Sequence, residues 1–182
     1  MATLRVPITR EDHAQGPETA EVNLVEYGDY ECPHCGRAHP IVKRIQERFG
    51  TRLRFAFRNF PLIEMHPHAK AAAEVAEFAG AQAKFWEMHD LLFENQARLG
   101  EPLFSDLARR LNLSTTALRQ ALQLGEFEAR VRADFAGGVR SGVNGTPTFF
   151  INGRRHDGPF DFDTLGFAIH KATGTARIAV NG

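Results

Sequence analysis

Residues 22–60 read "VNLVEYGDYECPHCGRAHPIVKRIQERFGTRLRFAFRNF". The stretch opens on an apolar, β-prone run at 22–28, stopped by Gly28 and Asp29, which predicts a buried strand. Further on, Ile41, Ile45 and Phe49 recur four residues apart and Gly50 supplies a stop. That spacing predicts a helix beginning near the two cysteines. The stretch closes on "RLRFAFRNF" (52–60), where Leu53, Phe55 and Phe57 are set against Arg52, Arg54 and Arg58, a second strand. Strand, helix, strand in so short a span is a βαβ unit, so the two strands are expected to be parallel with a right-handed crossover.

Working outward, residues 1–20 are polar, turn at "QGPET", and read as an arm with at most one short strand. From Pro61 to Gly145 no strand pattern occurs. Helical stripes follow one another instead: Ala72, Val75, Ala76 and Ala79; Phe85, Met88 and Leu92; Phe104, Leu107, Ala108 and Leu111; Phe127, Val131, Phe135 and Val139. Ser114 is placed to cap "TTALRQALQLG". Pro67 of "HPH" (66–68) reads as the first turn of a helix rather than as part of a metal site. Trp86 and the Phe-rich helices read as core. A parallel crossover needs only a dozen or so residues, so most of this block, about 62–140, is expected to be an inserted all-helical layer. Strand signals return at "TPTFFING" (146–153), with Asn152-Gly153 as a two-residue hairpin turn and "RRHDG" as the returning strand. Phe162, Leu165 and Ile169 mark a last helix over 162–172, and "TGTARIAVNG" is expected to be loose.

Composition narrows the function. The chain has 182 residues, 43% of them apolar, enough for one domain with a sizeable core. Its 22 basic and 22 acidic side chains cancel, and no basic stripe or polybasic run points to nucleic acid or a membrane surface. No apolar run reaches the length of a membrane span. The first residues lack the apolar stretch of a secretory leader. They predict a cytoplasmic protein, or an exported one whose leader has been trimmed.

The chemistry points to Cys32 and Cys35, the only cysteines. Closing so short a loop restrains the unfolded chain by only ~2 kcal/mol, against ~4.7 kcal/mol for a loop of about 100 residues. The pair is a poor staple and better suited to reaction. A c-type haem would need histidine where Gly36 stands. Zinc on Cys32, Cys35 and His39 is an alternative, weakened because a structural site usually has four converging ligands. His39 itself reads as a solvated helix residue. At a helix N-terminus Cys32 faces unpaired N–H groups and the positive end of the helix dipole, both of which favour thiolate. His34, following Pro33, can add charge or an N–H. Cys35 lies deeper and keeps its proton. Cys32 is therefore the expected nucleophile and Cys35 the resolving thiol. A Cys32 pKa of ~4 would raise the reduction potential by ~90 mV, in the direction of a disulfide donor.

"EYGDYECPHCGRAHP", followed far downstream by "NGTPTFFING", resembles the thioredoxin superfamily, and CPHC resembles its DsbA-like branch. "FRNFPL", "HPHAKAAAEVAEFA" and "KFWEMHDLLF" are similar to that branch's helical insertion, and the likeness covers about residues 20–172. It implies a thioredoxin fold, a central mixed sheet flanked by helices, over a single domain spanning 1–182. The implied activity is thiol-disulfide exchange with protein or peptide thiols, without metal or organic cofactor. The redox partner would be glutathione or another thiol protein. The resemblance also implies that Pro147 is a cis-proline facing the cysteines, with Thr146 pairing to substrate backbone. It further implies that Glu26 is a buried acid serving Cys35, and that Pro40 kinks the active-site helix. The absence of a leader and the branched Thr146 depart from exported, strongly oxidising members, which makes a reductase or isomerase role more credible. A non-catalytic peptide-binding or chaperone module using the cis-proline groove is the alternative.

Overall fold

A computed structural model describes residues 2–176. β2 (Val22–Gly28) and β3 (Leu53–Asn59) run parallel, with Val22 opposite Leu53 and Gly28 opposite Asn59. Helix α1 (Pro33–Phe49) joins them. β1 (His13–Gln15) adds antiparallel to β3, β4 (Thr148–Ile151) antiparallel to β2, and β5 (Arg154–His156) antiparallel to β4. The sheet order is β1-β3-β2-β4-β5, a mixed sheet with β2 at its centre. Asn152 and Gly153 both carry positive φ, 47° and 78°, the conformation this hairpin turn requires.

Alternate residues of β2 serve two cores. Val22 and Leu24 join the larger one with Val42, Ile45 and Phe49 of α1. Val25 and Tyr27 join a smaller one with Ala56, Phe60 and Phe150, which Leu4 and Ile8 of the N-terminal arm help to cover. The arm explains one departure from expectation. Arg58, placed on an open face by its pattern, is only 3% exposed. It donates to Asp12, to the Val6 and Pro7 carbonyls and to the Tyr27 hydroxyl.

Five helices separate β3 from β4 among the described residues: α2 (Ala69–Gly80), α3 (Phe85–Glu94), α4 (Glu101–Arg110), α5 (Thr115–Leu124) and α6 (Glu128–Arg140). Ser114 caps α5, its side chain accepting from the Ala117 N–H. Trp86 packs against the core, its ring 5.6 Å from that of Phe55. Two stripes differ from their pattern. Pro67 lies in the turn before α2 and outside the helix, in a segment tied down by His66 at 2.8 Å from Asp29. On α6 Val131 is buried and Phe135, though partly exposed, stacks on Phe60 at 4.3 Å between ring centres, but Val139 faces outward. Gly137, Gly138 and Asp134 take the inner face instead. Gly138 allows this, because a Cβ there would lie 2.6 Å from the Phe60 ring and 3.0 Å from that of Tyr27.

α7 (Phe162–Ala176) buries Leu165 and Ile169 and continues four residues into the segment expected to be loose. The rest of that tail lies outside the described residues. No described helix is long and apolar enough to cross a membrane.

Candidate functional site

Pro33 occupies the first position of α1, where a missing N–H costs nothing, and Cys32 is the N-cap with extended backbone, φ −70° and ψ 120°. Pro40 lies inside the helix, so it does not begin one. Both thiols are buried, Cys32 at 4% and Cys35 at 0% exposure. The hydrogen bond from the Cys35 thiol, with help from Thr146 and the backbone N–H groups of Cys35 and His34, brings the Cys32 pKa down to about 5 against the opposing effect of burial. Burial, the bond to Cys32 and the Glu26 charge push Cys35 well above the ordinary thiol value. The Asp29 N–H approaches the Cys35 sulfur at 3.4 Å. One sulfur is thus poised as thiolate and the other held as thiol.

The loop before β4 faces this pair. The Thr146–Pro147 peptide is cis. The Thr146 carbonyl lies 3.4 Å from Cys32 Sγ, a contact that a thiol can make as donor and a thiolate cannot. The Thr146 hydroxyl is buried with no partner within bonding distance. Its pull on the Cys32 pKa is therefore weaker than a formed hydrogen bond would exert. Thr148 Oγ1 donates to the Gly145 carbonyl at 2.7 Å and steadies the loop.

Glu26 projects from the central strand and is 3% exposed, with Oε1 unpartnered. Burial, then the Cys32 charge, pushes its pKa up to about 8. It borders a cavity of about 10 Å³, shared with His39, Lys43, Gln46, His89 and Asp90, which is room for about one water. Burial pushes Asp90 up, but hydrogen bonds from His39 (2.9 Å) and Lys43 (2.7 Å) outweigh it and hold its pKa at about 2. His89 is held neutral by burial, and its Nδ1 lies 3.0 Å from the Tyr30 hydroxyl.

Two histidines differ from expectation. The His34 ring is engaged by Arg37, its Nδ1 accepting at 2.8 Å. What reaches Cys32 is the His34 backbone N–H. His39 is half-buried and turned to Asp90 rather than solvated. His39, His89 and Asp90 gather closely enough to hold a metal, but the set includes neither cysteine, and Lys43 already neutralises Asp90. That placement removes His39 from the zinc alternative on Cys32 and Cys35.

Two polar residues escaped sequence reasoning. Buried Asp29 accepts from the Glu31 and Leu62 N–H groups and from His66, locking the loop before Cys32. Its bond to Glu31 is an Asx turn, legible from an Asp directly after a strand. Gln96 donates from Nε2 to the Tyr30 and Cys32 carbonyls at 2.8 and 2.9 Å. The signal for it was Gly36, a glycine inside a helical pattern.

The sheet order, the helical layer and the asymmetric thiols at the start of α1 define a DsbA-like member of the thioredoxin superfamily. The family model described as Thioredoxin matches residues 9–171, and the chain belongs to that family. Its fold is similar to that of BdbD from Bacillus subtilis in the oxidised form, with a TM-score of 0.86 and 26% identity over 95% of this chain and 98% of that one. It is also similar to Wolbachia pipientis alpha-DsbA1, with a TM-score of 0.84 and 21% identity over 98% of each chain. Curated relatives carry another name. The Na(+)/H(+) antiporter NhaA 1 of Salinispora arenicola is 43% identical over 176 residues, which are 96% of this chain but 27% of that protein. NhaA 3 of Salinispora tropica is 42% identical over 180 residues, 28% of its length. The chain thus spans about a quarter of these antiporters, whose name describes the whole proteins.

Proposed function

We propose that this protein is a thiol-disulfide oxidoreductase that exchanges disulfides with protein or peptide thiols through Cys32. The observation that carries this reading is the opposed ionisation of two adjacent sulfurs, Cys32 lowered to about 5 and Cys35 raised. The Cys32 thiolate attacks a substrate disulfide, forming a mixed disulfide and expelling one substrate thiolate, which takes up a proton. Cys35 then gives its proton to Glu26 and attacks Cys32 Sγ, expelling the second thiolate. The pair ends oxidised by two electrons and the substrate reduced by two; the reverse sequence donates a disulfide. Once Cys32 is tied into the mixed disulfide its charge is gone, so one cause of the raised Glu26 pKa is gone too. The carboxylate becomes available when Cys35 needs a base. The small cavity beneath Glu26 supports an exit for that proton toward His39.

Pro33 and the His34 N–H would hold the sulfur, and Thr146 and Pro147 would receive an extended substrate backbone. With Cys32 at about 5 rather than ~4, ionisation raises the potential by at most ~60 mV. In a cytoplasm poised near about −250 mV the pair would rest reduced and act as reductant or isomerase. In an oxidising compartment it would donate disulfides. We read 1–182 as one domain with its helical insertion at about 62–140, supported by a core that runs from the sheet through α2 to α5.

A second reading, a peptide-binding module without redox turnover, is favoured by the exposed Ile63 (58%) and Met65 (73%) beside a groove of about 290 Å³. Cys32→Ser separates the two. Exchange with a dithiol substrate should fall at least a hundredfold while suppression of aggregation is unchanged. Retained exchange in that variant would remove the oxidoreductase reading.

A further inference from the structure

Gln96 begins the short turn after α3 (Gln96–Arg98), 64 residues from Cys32 in the chain. Its amide nitrogen carries two hydrogens, and both are used, one on the Tyr30 carbonyl and one on the Cys32 carbonyl. The amide lies against Gly36. A Cβ at that position would overlap the Gln96 Oε1 and fall 3.0 Å from its Cδ and 3.1 Å from its Nε2. A helix interior ordinarily favours alanine over glycine, so the empty space at residue 36 is matched to a partner.

We propose that Gln96 is a positioning residue for Cys32, seated in the slot that Gly36 leaves open, and that through it the helical layer sets how readily Cys32 ionises. Cys32 is the hinge between loop and helix. Its carbonyl also accepts the Gly36 N–H at 3.1 Å. Fixing the carbonyls of residues 30 and 32 fixes the torsions that carry the sulfur over the N–H groups of His34 and Cys35. The two amide hydrogens also neutralise the negative ends of two carbonyl dipoles close to a sulfur that must bear charge. This role rests on the thiol-exchange reading of Cys32.

The experiment is a pH titration of Cys32 alkylation by iodoacetamide in the reduced protein, paired with thermal unfolding. Gln96→Ala is expected to raise the Cys32 midpoint by about one unit, a tenfold loss in ionisation constant. The glutathione equilibrium should move by the matching tenfold, ~30 mV toward reducing. Gln96→Glu, which sets an acceptor against two acceptors, should raise it further. Gly36→Ala should displace the amide, giving a similar shift and a lower Tm. In the Gln96→Ala background the same Gly36→Ala change should leave the midpoint where it is and raise Tm. A Cys32 midpoint unmoved by Gln96→Ala, or a Gly36→Ala change with the same sign in both backgrounds, overturns the positioning role. If the unmodified protein already titrates like a free thiol, the exchange reading fails first, so the two failures are told apart.

Discussion

At the scale of single residues, the two cysteines were legible because four residues fix their chemistry: a helix start, a proline at its first position and a second thiol one turn in. What the pattern left open was the ranking of the influences on Cys32. The Cys35 thiol is the largest influence lowering the Cys32 pKa, ahead of the backbone N–H groups of Cys35 and His34, while the His34 ring pairs with Arg37. Burial of Glu26 was likewise invisible in an alternation of strand residues, since an acid in an apolar run reads equally well as a strand end in water. That burial has a measurable sign. The folded Glu26 pKa is about 8 against an ordinary 4.5, so the native state binds this proton more tightly than the unfolded chain does. Its contribution is complete below about pH 4.5 and is lost as pH rises through 8, by at most ~5 kcal/mol. Glu26→Gln should abolish that loss. Urea unfolding of the oxidised protein, where no thiol titrates, should show wild type falling relative to Glu26→Gln as pH rises from 5, by less than that bound because burial then raises the Glu26 pKa without the Cys32 charge. A constant difference over that rise would mean the carboxyl meets water.

At the scale of elements, periodicity located the strands and helices, because each pattern repeats within its own segment. It failed where an element's inner face is chosen by something other than bulk. On α6 the inner face is taken by Asp134, Gly137 and Gly138 rather than by Val139, because Gly138 permits closer approach to Phe60 and Tyr27 than a larger side chain could. Asp134 then reaches the Asn59 N–H at 3.0 Å and satisfies the end of β3. Gly138→Ala is therefore a conflict between two terms. Helix propensity favours alanine by ~1 kcal/mol, and crowding against Phe60 and Tyr27 opposes it by ~1–3 kcal/mol. Crowding should win, lowering the urea midpoint at constant m-value, with Phe60→Leu in the same chain recovering most of the loss. A stabilised Gly138→Ala would show that α6 does not sit against those rings.

At the scale of the whole molecule, the chain must close a sheet whose central strands are apolar on both faces, and it recruits distant segments to do so. The helical layer and α1 cover one face. The N-terminal arm, with α6, covers the other, and no local pattern in the arm announces that duty. Arg58 makes the connection. Its guanidinium meets Asp12 at 2.7 and 3.0 Å, with the two side chains 3% and 5% exposed, and holds the Val6 and Pro7 carbonyls as well. Burial alone would raise the Asp12 pKa, and the Arg58 bond and charge reverse that. Removing the carboxylate leaves a buried guanidinium without its counter-charge, a change that typically costs ~3–5 kcal/mol. Asp12→Ala should lose about that much stability and make the arm before β1 a site of rapid proteolytic cleavage. The thiol pair lies in the larger core, with Cys32 and Cys35 among its members, away from the face the arm covers. Cys32 alkylation in the folded variant should therefore keep its low-pH midpoint. Loss of stability below ~1 kcal/mol with an uncut arm would mean that the latch is a surface pair in solution. A shifted midpoint would mean that the two faces of the sheet are coupled through β2, where Glu26 and Tyr27 are neighbours pointing to opposite sides.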